Sequence, residues 1–293
     1  MDKEYALAIL LSDNSINKEN IKRIEHIIKQ EVNWFKVFKI AVQERIAFIV
    51  YKNLNDNHYL WLVPDDLRFI WRTAYLGNIQ YNKQLLESCQ IIESYSLQNN
   101  IRVYPIKGIA LLRLHSSAYK WRILRDIDFI IDSTNIKGLK QTLQNKGFHI
   151  LYFNNKDILL KREDTDDFSV FFSKYIQNSI YTNCEFSYKK MDTELENFLL
   201  KSLKEVGTDF YYISHLLLFY LIAERSWSGE ILSSGERKYP LSKLVDILFI
   251  KEICKEKNLT CNFKYFANMY SLQNLIDNVR NTISCYWEGR IFL

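Results

Sequence analysis

The sequence predicts an α+β protein in which a small mixed sheet is flanked by N- and C-terminal helical units. Three observations support this prediction. Apolar residues recur at helical spacing through the first and last thirds of the 293-residue chain. Short runs rich in β-branched and aromatic residues are concentrated in the middle third. Glycine and proline are scarce, with 8 and 3 residues, which favours long helices over a sandwich of many strands.

The first predicted unit, residues 1–97, is expected to be all helical. One helix is predicted over residues 16–30, and the helical period continues through the segment NWFKVFKIAVQERIAFIVYKNL. Residues 65–97 contain few helix breakers. They therefore predict one long helix, or two helices that meet at a bend near Gly77.

The second predicted unit, residues 98–192, has the pattern of short strands. IRVYPI predicts a strand that turns at Lys107 and Gly108 into a helix. LRDIDFIID and FHILYF predict two further strands, with a helix over residues 138–146 between them, and DFSVFFSKY and IYTNCEFSYKK are additional strand candidates. Helical periodicity then returns, so residues 193–293 form a third predicted unit.

Composition and charge limit the function classes. Apolar residues make up 48% of the chain and charged residues 25%, the balance of a soluble globular protein. The net charge of +5 is scattered, which suits a polyanionic ligand but lacks the basic stripe of a nucleic-acid binder. The five cysteines form no CxxC pair, so a structural zinc site is not expected and a reducing compartment is. Without a signal-peptide pattern or about 20 consecutive apolar residues, the chain is expected to be cytoplasmic.

The segment RDIDFII, residues 125–131, has the most specific chemistry. Alternate side chains of a strand share a face, so Asp126 and Asp128 are expected on one face, with Ile127 and Phe129 on the other. Two neighbouring carboxylates make each other harder to ionise unless a cation lies between them. Mg²⁺ is such a cation, because it binds one or two protein carboxylates and completes its shell with substrate phosphates.

An Asp-x-Asp pair by itself is more often the polar side of a half-buried strand. The turn about eighteen residues upstream changes this interpretation, because Lys107 and Gly108 follow a predicted strand and precede a predicted helix. A glycine lets a phosphate approach the backbone, and the free N–H groups at a helix start attract anions. The two features together predict a site for a metal ion and a triphosphate.

The segment YPIKGIALLRLHSSAYKWRILRDIDFIID resembles the core signature of the uncharacterised-nucleotidyltransferase family of bacteria. That family belongs to the polymerase-β-like nucleotidyltransferase superfamily. The segment NWFKVFKIAVQERIAFIVYKNL is similar to the family's N-terminal helix, and LSKLVDILFI is similar to a C-terminal helix that contains an Asp. The resemblance covers nearly the whole chain, and the block from Lys-Gly to Asp-x-Asp is its most specific part.

The family's functional positions transfer residue by residue. The residues on its Lys-Gly turn, on its arginine before the first Asp and on its metal-binding pair are Lys107, Gly108, Arg122, Asp126 and Asp128. Arg125 is a further candidate for phosphate binding, because a guanidinium matches phosphate geometry, and an ion pair next to Asp126 is its alternative. The resemblance thus implies nucleotide binding at the turn and Arg122, and catalysis and metal binding at the two aspartates.

A third carboxylate on a neighbouring strand is usual in the superfamily. The strand CEFSY best matches the family's apolar-Asp-apolar-His-aromatic pattern, so Glu185 is implied as the third catalytic and metal-binding residue. The match departs twice, with Glu185 in place of Asp and Ser187 in place of His. Asp166 and Asp167, beside another strand candidate, are the competing choice.

The resemblance implies a transferase that moves a nucleoside monophosphate, AMP from ATP, onto an acceptor and releases pyrophosphate. Two Mg²⁺ ions, with Mn²⁺ as the alternative, would be bound by the carboxylates. The acceptor is expected to be a small molecule, a peptide, a protein or RNA, and neither DNA nor a membrane is an expected partner. One rival is a catalytically inactive nucleotidyltransferase-like binding or scaffold protein, favoured by the replacement of the third Asp. Another is a helical RNA- or peptide-binding protein, which would need a concentrated basic stripe.

Overall fold

The computed structural model describes residues 2–100, 103–114, 117–124, 126–131, 148–153, 157–162, 181–187, 241–256 and 273–287, with short stretches at 138, 141, 143–145, 230–231 and 237–238. Two compact units are distinguished. The first unit comprises Met1–Tyr75 and Leu217–Leu293, and the second comprises Leu76–Leu216. The division into three units at residues 97 and 192 stays a prediction.

The described elements follow in chain order. They are α1 (Lys3–Leu10), α2 (Lys18–Ile28), α3 (Trp34–Gln43), α4 (Ala47–Asp56), a 3₁₀ turn (Leu60–Leu62), α5 (Asp65–Gln98), β1 (Val103–Ile106), α6 (Lys107–Leu114), α7 (Ala118–Trp121), β2 (Asp126–Ile131), β3 (Phe148–Phe153), β4 (Asp157–Arg162), β5 (Tyr181–Ser187), β6 (Glu230–Ile231), β7 (Arg237–Lys238), α8 (Leu241–Glu256) and α9 (Gln273–Trp287). The single helix α5 confirms the first of the two arrangements that the sequence allowed for residues 65–97.

The predicted helix through residues 34–54 is interrupted. α3 ends at Gln43, and α4 begins at Ala47. Between them Arg45 adopts a left-handed conformation with φ of 57°, and Ile46 N donates to Ala41 O at 2.8 Å. This is the hydrogen bond that closes a helix C-terminus through a left-handed residue. Sequence periodicity did not reveal the break, because left-handed caps are usually glycine and an arginine gives no such signal.

The first unit is built around α1, which is buried over most of its length. Trp287 of α9 donates from Nε1 to the carbonyl oxygen of Ile9 at 3.0 Å. Asn53 of α4 donates from Nδ2 to the carbonyl oxygens of Leu11 and Asp13, at 2.8 and 2.6 Å. Backbone carbonyls at the end of a buried helix need partners, and buried side-chain donors supply them here.

The second unit contains a five-stranded sheet in the order β1-β2-β5-β4-β3. β2 and β5 are parallel, and the other neighbouring pairs are antiparallel. β1, β2 and β3 confirm strands predicted from the segments IRVYPI, LRDIDFIID and FHILYF, and β5 confirms the candidate IYTNCEFSYKK. β4 was not predicted. The candidate strand DFSVFFSKY lies outside the described residues.

The predicted fold class, α+β with a small mixed-sheet core, is corrected. Among the residues whose side chains the structure describes, 78% are helical, and no strand has all of its side chains described. By this measure the described part of the chain is mainly helical. The difference has a physical reason: a 34-residue α5 and the helices of the first unit supply most of the buried apolar side chains that are described.

No helix in the described part of the chain combines the length and the hydropathy needed to cross a bilayer.

Candidate active site

The turn between β1 and α6 has the predicted strand-turn-helix form. β1 ends at Ile106, and α6 begins at the next residue, Lys107. Gly108 is buried, and a Cβ built on it would lie 2.3 Å from Leu124 Cδ2 and 3.6 Å from Arg122 Nη2. The missing side chain therefore makes room for Leu124. Phosphate approach is the reason that the sequence indicates for this glycine, and packing against Leu124 is a second reason.

The backbone register aligns the predicted carboxylate positions across neighbouring strands. β2 and β5 pair Asp128 with Glu185, and Asp126 with Asn183. On the other side of β2, Asp128 pairs with Ile106, the last residue of β1. Paired positions on neighbouring strands lie about 5 Å apart and on the same face of the sheet. Positions 128 and 185 are therefore neighbours on one face, beside the strand end that leads into α6.

The alternation along β2 agrees with the sequence pattern. Ile127 and Phe129 are both completely buried. Because successive residues of a strand point to opposite faces, positions 126 and 128 belong to the other face. Hydrophobic packing on one side of β2 thus determines which side is left for the acidic residues.

One acidic position in the same row was missed by sequence analysis. Asp157, the first residue of β4, pairs with Glu185 on the side of β5 away from β2. The row across the sheet therefore contains Ile106, Asp128, Glu185 and Asp157. The signal was the acidic first residue of the segment DILLKR, which continues with three apolar residues, but register cannot be read from one strand alone.

Arg122 is placed close to the Lys107-Gly108 turn. Its side chain is largely buried, with 9% of the residue exposed, and Nη1 donates to the carbonyl oxygen of Ile123 at 2.9 Å. Its Nη2 lies 3.6 Å from the position that a Cβ on Gly108 would occupy. The structure therefore brings together the turn and the arginine that the sequence assigned to one site.

The remaining predicted residues are only partly described. Arg125, Asp166 and Asp167 lie outside the described residues. Lys107, Asp126, Asp128 and Glu185 are placed by their backbone alone. No group of three or more His, Cys, Asp or Glu able to hold a metal occurs among the side chains that are described, a set that does not contain these carboxylates.

Comparison with known families identifies the class of protein. A family model described as uncharacterised nucleotidyltransferase matches residues 30–214, which is more than half of the chain. The chain therefore belongs to this family, and it is an enzyme of the nucleotidyltransferase class. The matched range includes the β1–α6 turn, β2 and β5, the elements described above. Neither a search of curated proteins nor a search of solved structures finds a match.

Proposed function

We propose that the enzyme transfers a nucleoside monophosphate, AMP from ATP, to an acceptor hydroxyl and releases pyrophosphate. The observation that supports this proposal is the pairing of Asp128 with Glu185 in a row that also contains the last residue of β1. Two acidic positions 57 residues apart in sequence thereby lie beside the turn that begins at Lys107. A triphosphate bound at that turn would have the carboxylates next to it.

The donor set fits a divalent metal. Asp126, Asp128 and Glu185 provide only oxygen donors, which are the ligands that Mg²⁺ prefers. These three residues would hold two Mg²⁺ ions, with Mn²⁺ as the alternative. Such ions, when bound, neutralise charge on the triphosphate and stabilise an in-line displacement. Carboxylates at adjacent positions of one face repel each other without a cation, so metal and nucleotide are expected to bind together.

In the proposed transfer the acceptor oxygen attacks the α-phosphorus. A new P–O bond forms while the bond between the α-phosphorus and the oxygen bridging to the β-phosphorus breaks. Glu185 takes the proton of the acceptor, and pyrophosphate leaves with the electron pair of the broken bond. Lys107, Arg122 and Arg125 bind the phosphates, and the N–H groups at the start of α6 add partial positive charge.

The acceptor class is tested together with the nucleotide. ATP, GTP, CTP and UTP labelled at the α-phosphate are incubated with Mg²⁺ and with small molecules, peptides, proteins or RNA, and label on the acceptor is measured. Asp126→Asn and Asp128→Asn are each expected to reduce transfer by about 100-fold or more, because both charges hold the cations. Asp66→Asn removes the same charge from an exposed position of α5 and is the matched control, which should keep wild-type transfer.

Glu185→Gln separates chemistry from binding. Loss of a proton acceptor acts in the transition state, so transfer should fall far more than nucleotide affinity, which should stay within about threefold. Wild-type transfer in either aspartate variant would remove those residues from the mechanism. If no nucleotide labels any acceptor class, the proposed reaction is contradicted and the binding-protein alternative gains support.

A further inference from the structure

Two buried asparagines lie on one side of α5. Asn78 and Asn82 are four residues apart, and their exposed fractions are 1% and 0%, respectively. Asparagine is a poor helix former, and burial of its amide is unfavourable unless the amide is hydrogen-bonded. Their presence in the middle of a long helix is explained by their partners.

The partners are carbonyl oxygens at the end of α7. Asn82 Nδ2 donates to the carbonyl oxygens of Tyr119 and Arg122, at 2.8 and 2.7 Å. Asn78 Nδ2 donates to those of Lys120 and Arg122, at 3.3 and 3.2 Å. α7 has four residues, so its last carbonyls have no partner within the helix. The two side-chain amides, here called the asparagine clamp, therefore hold the end of α7 from a second helix.

The clamped segment leads directly into β2. Residues 119–124, here called the α7–β2 connection, end two positions before Asp126. Arg122 Nη1 donates to the carbonyl oxygen of Ile123 at 2.9 Å, and Leu124 occupies the space that a side chain on Gly108 would fill. The connection is thus attached to α5 by the clamp and to the start of α6 by packing.

The clamp contributes less to the stability of the fold than its hydrogen bonds alone would. Asn82 Oδ1 is buried and has no hydrogen-bond partner among the described residues. A buried unsatisfied acceptor costs about as much free energy as a hydrogen bond contributes, so part of the gain from Nδ2 is cancelled. What the clamp does provide is geometry, because two donors on one helix face restrict the position of three carbonyl groups.

We propose that Asn78 and Asn82 are positioning residues for nucleotidyl transfer. Their amides hold the α7–β2 connection, and through it they set the position of the start of β2 relative to the Lys107-Gly108 turn. This inference rests on the proposed role of Asp126 and Asp128 in binding the metal and the nucleotide. A misplacement of about 1 Å in a reacting group can reduce a rate about 100-fold, so the loss of function should exceed what the loss of stability predicts.

The test compares the clamp with a matched pair of hydrogen bonds elsewhere. Asn53, in the first unit, is 3% exposed and its Nδ2 also donates to two carbonyl oxygens. Asn78→Ala, Asn82→Ala and Asn53→Ala are made in the full chain, and their thermal unfolding is measured. The affinity for α,β-methylene-ATP is measured by calorimetry with Mg²⁺ and with chelator, and hydrogen exchange is followed over residues 117–131.

Both clamp variants are expected to weaken Mg²⁺-dependent binding by about tenfold or more and to speed exchange over residues 117–131. Binding in chelator should weaken less than Mg²⁺-dependent binding, because metal-free binding depends on Arg122 in the connection but not on the metal-binding positions of β2. Asn53→Ala should lower the unfolding temperature to a similar extent and leave Mg²⁺-dependent affinity within about twofold of wild type. If Asn82→Ala does not fold, Asn78→Ala, whose hydrogen bonds are longer, is the variant that decides.

Two results would overturn the positioning role of Asn78 and Asn82 and leave the proposed function intact. One is wild-type affinity in the folded clamp variants, and the other is a loss of affinity that follows unfolding temperature equally in all three variants. The proposed function fails separately, in the wild type and in Asp128→Asn. If Mg²⁺ does not tighten nucleotide binding by the wild type, or if it tightens binding equally in Asp128→Asn, the proposed site is wrong, and the positioning role is wrong with it.

Discussion

Replacement of Gly108 by alanine tests the packing that surrounds the predicted phosphate turn. The new Cβ would lie 2.3 Å from Leu124 Cδ2, whereas ordinary van der Waals contact begins at 3.4 Å. One group must move by about 1 Å, and Leu124 is only 5% exposed. Overpacking of this kind costs about 1–3 kcal/mol, more than the about 0.5–1 kcal/mol that alanine gains over glycine in a helix. We expect Gly108→Ala to lower the free energy of unfolding by about 1–2 kcal/mol.

A double-mutant cycle with Leu124→Ala isolates this contact. Leu124→Ala alone should cost about 2–5 kcal/mol, because it leaves a cavity. In that background Gly108→Ala should cost nothing or should stabilise the protein by up to about 1 kcal/mol, since the clashing methyl group is gone. Urea unfolding of the four proteins, followed by circular dichroism, gives the coupling energy, expected at about 1–3 kcal/mol.

An equal cost of Gly108→Ala in both backgrounds would refute the packing explanation. The same proteins also test the phosphate explanation. If the glycine is needed only for Leu124, the double variant should bind Mg²⁺ and ATP like Leu124→Ala. Weaker binding in the double variant would show that a phosphate approaches this backbone.

Two further predictions concern the first unit. The pKa of the Asp13 carboxyl is raised to about 6, mainly by burial and further by the negative charge of Glu252. Because the folded state holds this proton more tightly, the protonated carboxyl contributes to the free energy of unfolding below about pH 4, and this contribution is lost as pH rises through about 6. Above pH 6, Asp13→Asn should therefore have a free energy of unfolding about 1–3 kcal/mol greater than that of wild type. A difference in thermal unfolding that does not depend on pH would contradict this prediction. Trp71 is fully buried and donates from Nε1 to the carbonyl oxygen of Ala47 at 2.8 Å. Trp71→Phe should therefore lower the free energy of unfolding, measured in urea, by about 1–3 kcal/mol. The exposed control Trp61→Phe should lower it by less than about 0.5 kcal/mol. Equal losses in the two variants would argue against a stabilising role of the Trp71 hydrogen bond.

Local features of the second unit were predictable from sequence because they depend on neighbouring residues. The alternation of Ile127 and Phe129 with the two aspartates identified β2 and its buried face. A β-branched segment followed at once by Lys107 and Gly108 identified the turn into α6. The same short block identified the family, since its spacing is local along the chain.

The fold class was predicted less well. Short strand-like segments are conspicuous in the sequence, so the sheet was given the central role, and the largely buried helix α1 was not predicted as a separate element. A helix that is apolar on most sides lacks the amphipathic period from which helices are recognised. Among the residues whose side chains are described, 78% are helical, which corrects the central role that the sequence analysis gave to the sheet.

The sequence by itself determined the chemical types at the candidate site and the local elements on which they lie. Only the tertiary structure decided which distant positions are neighbours: Asp128 with Glu185 and Asp157 across the sheet, Gly108 with Leu124, and the asparagine clamp with the end of α7. The physical reason is that register and side-chain packing depend on contacts between segments far apart in the chain. One strand or helix has the same periodicity whichever partner it meets, so its sequence pattern does not specify the partner.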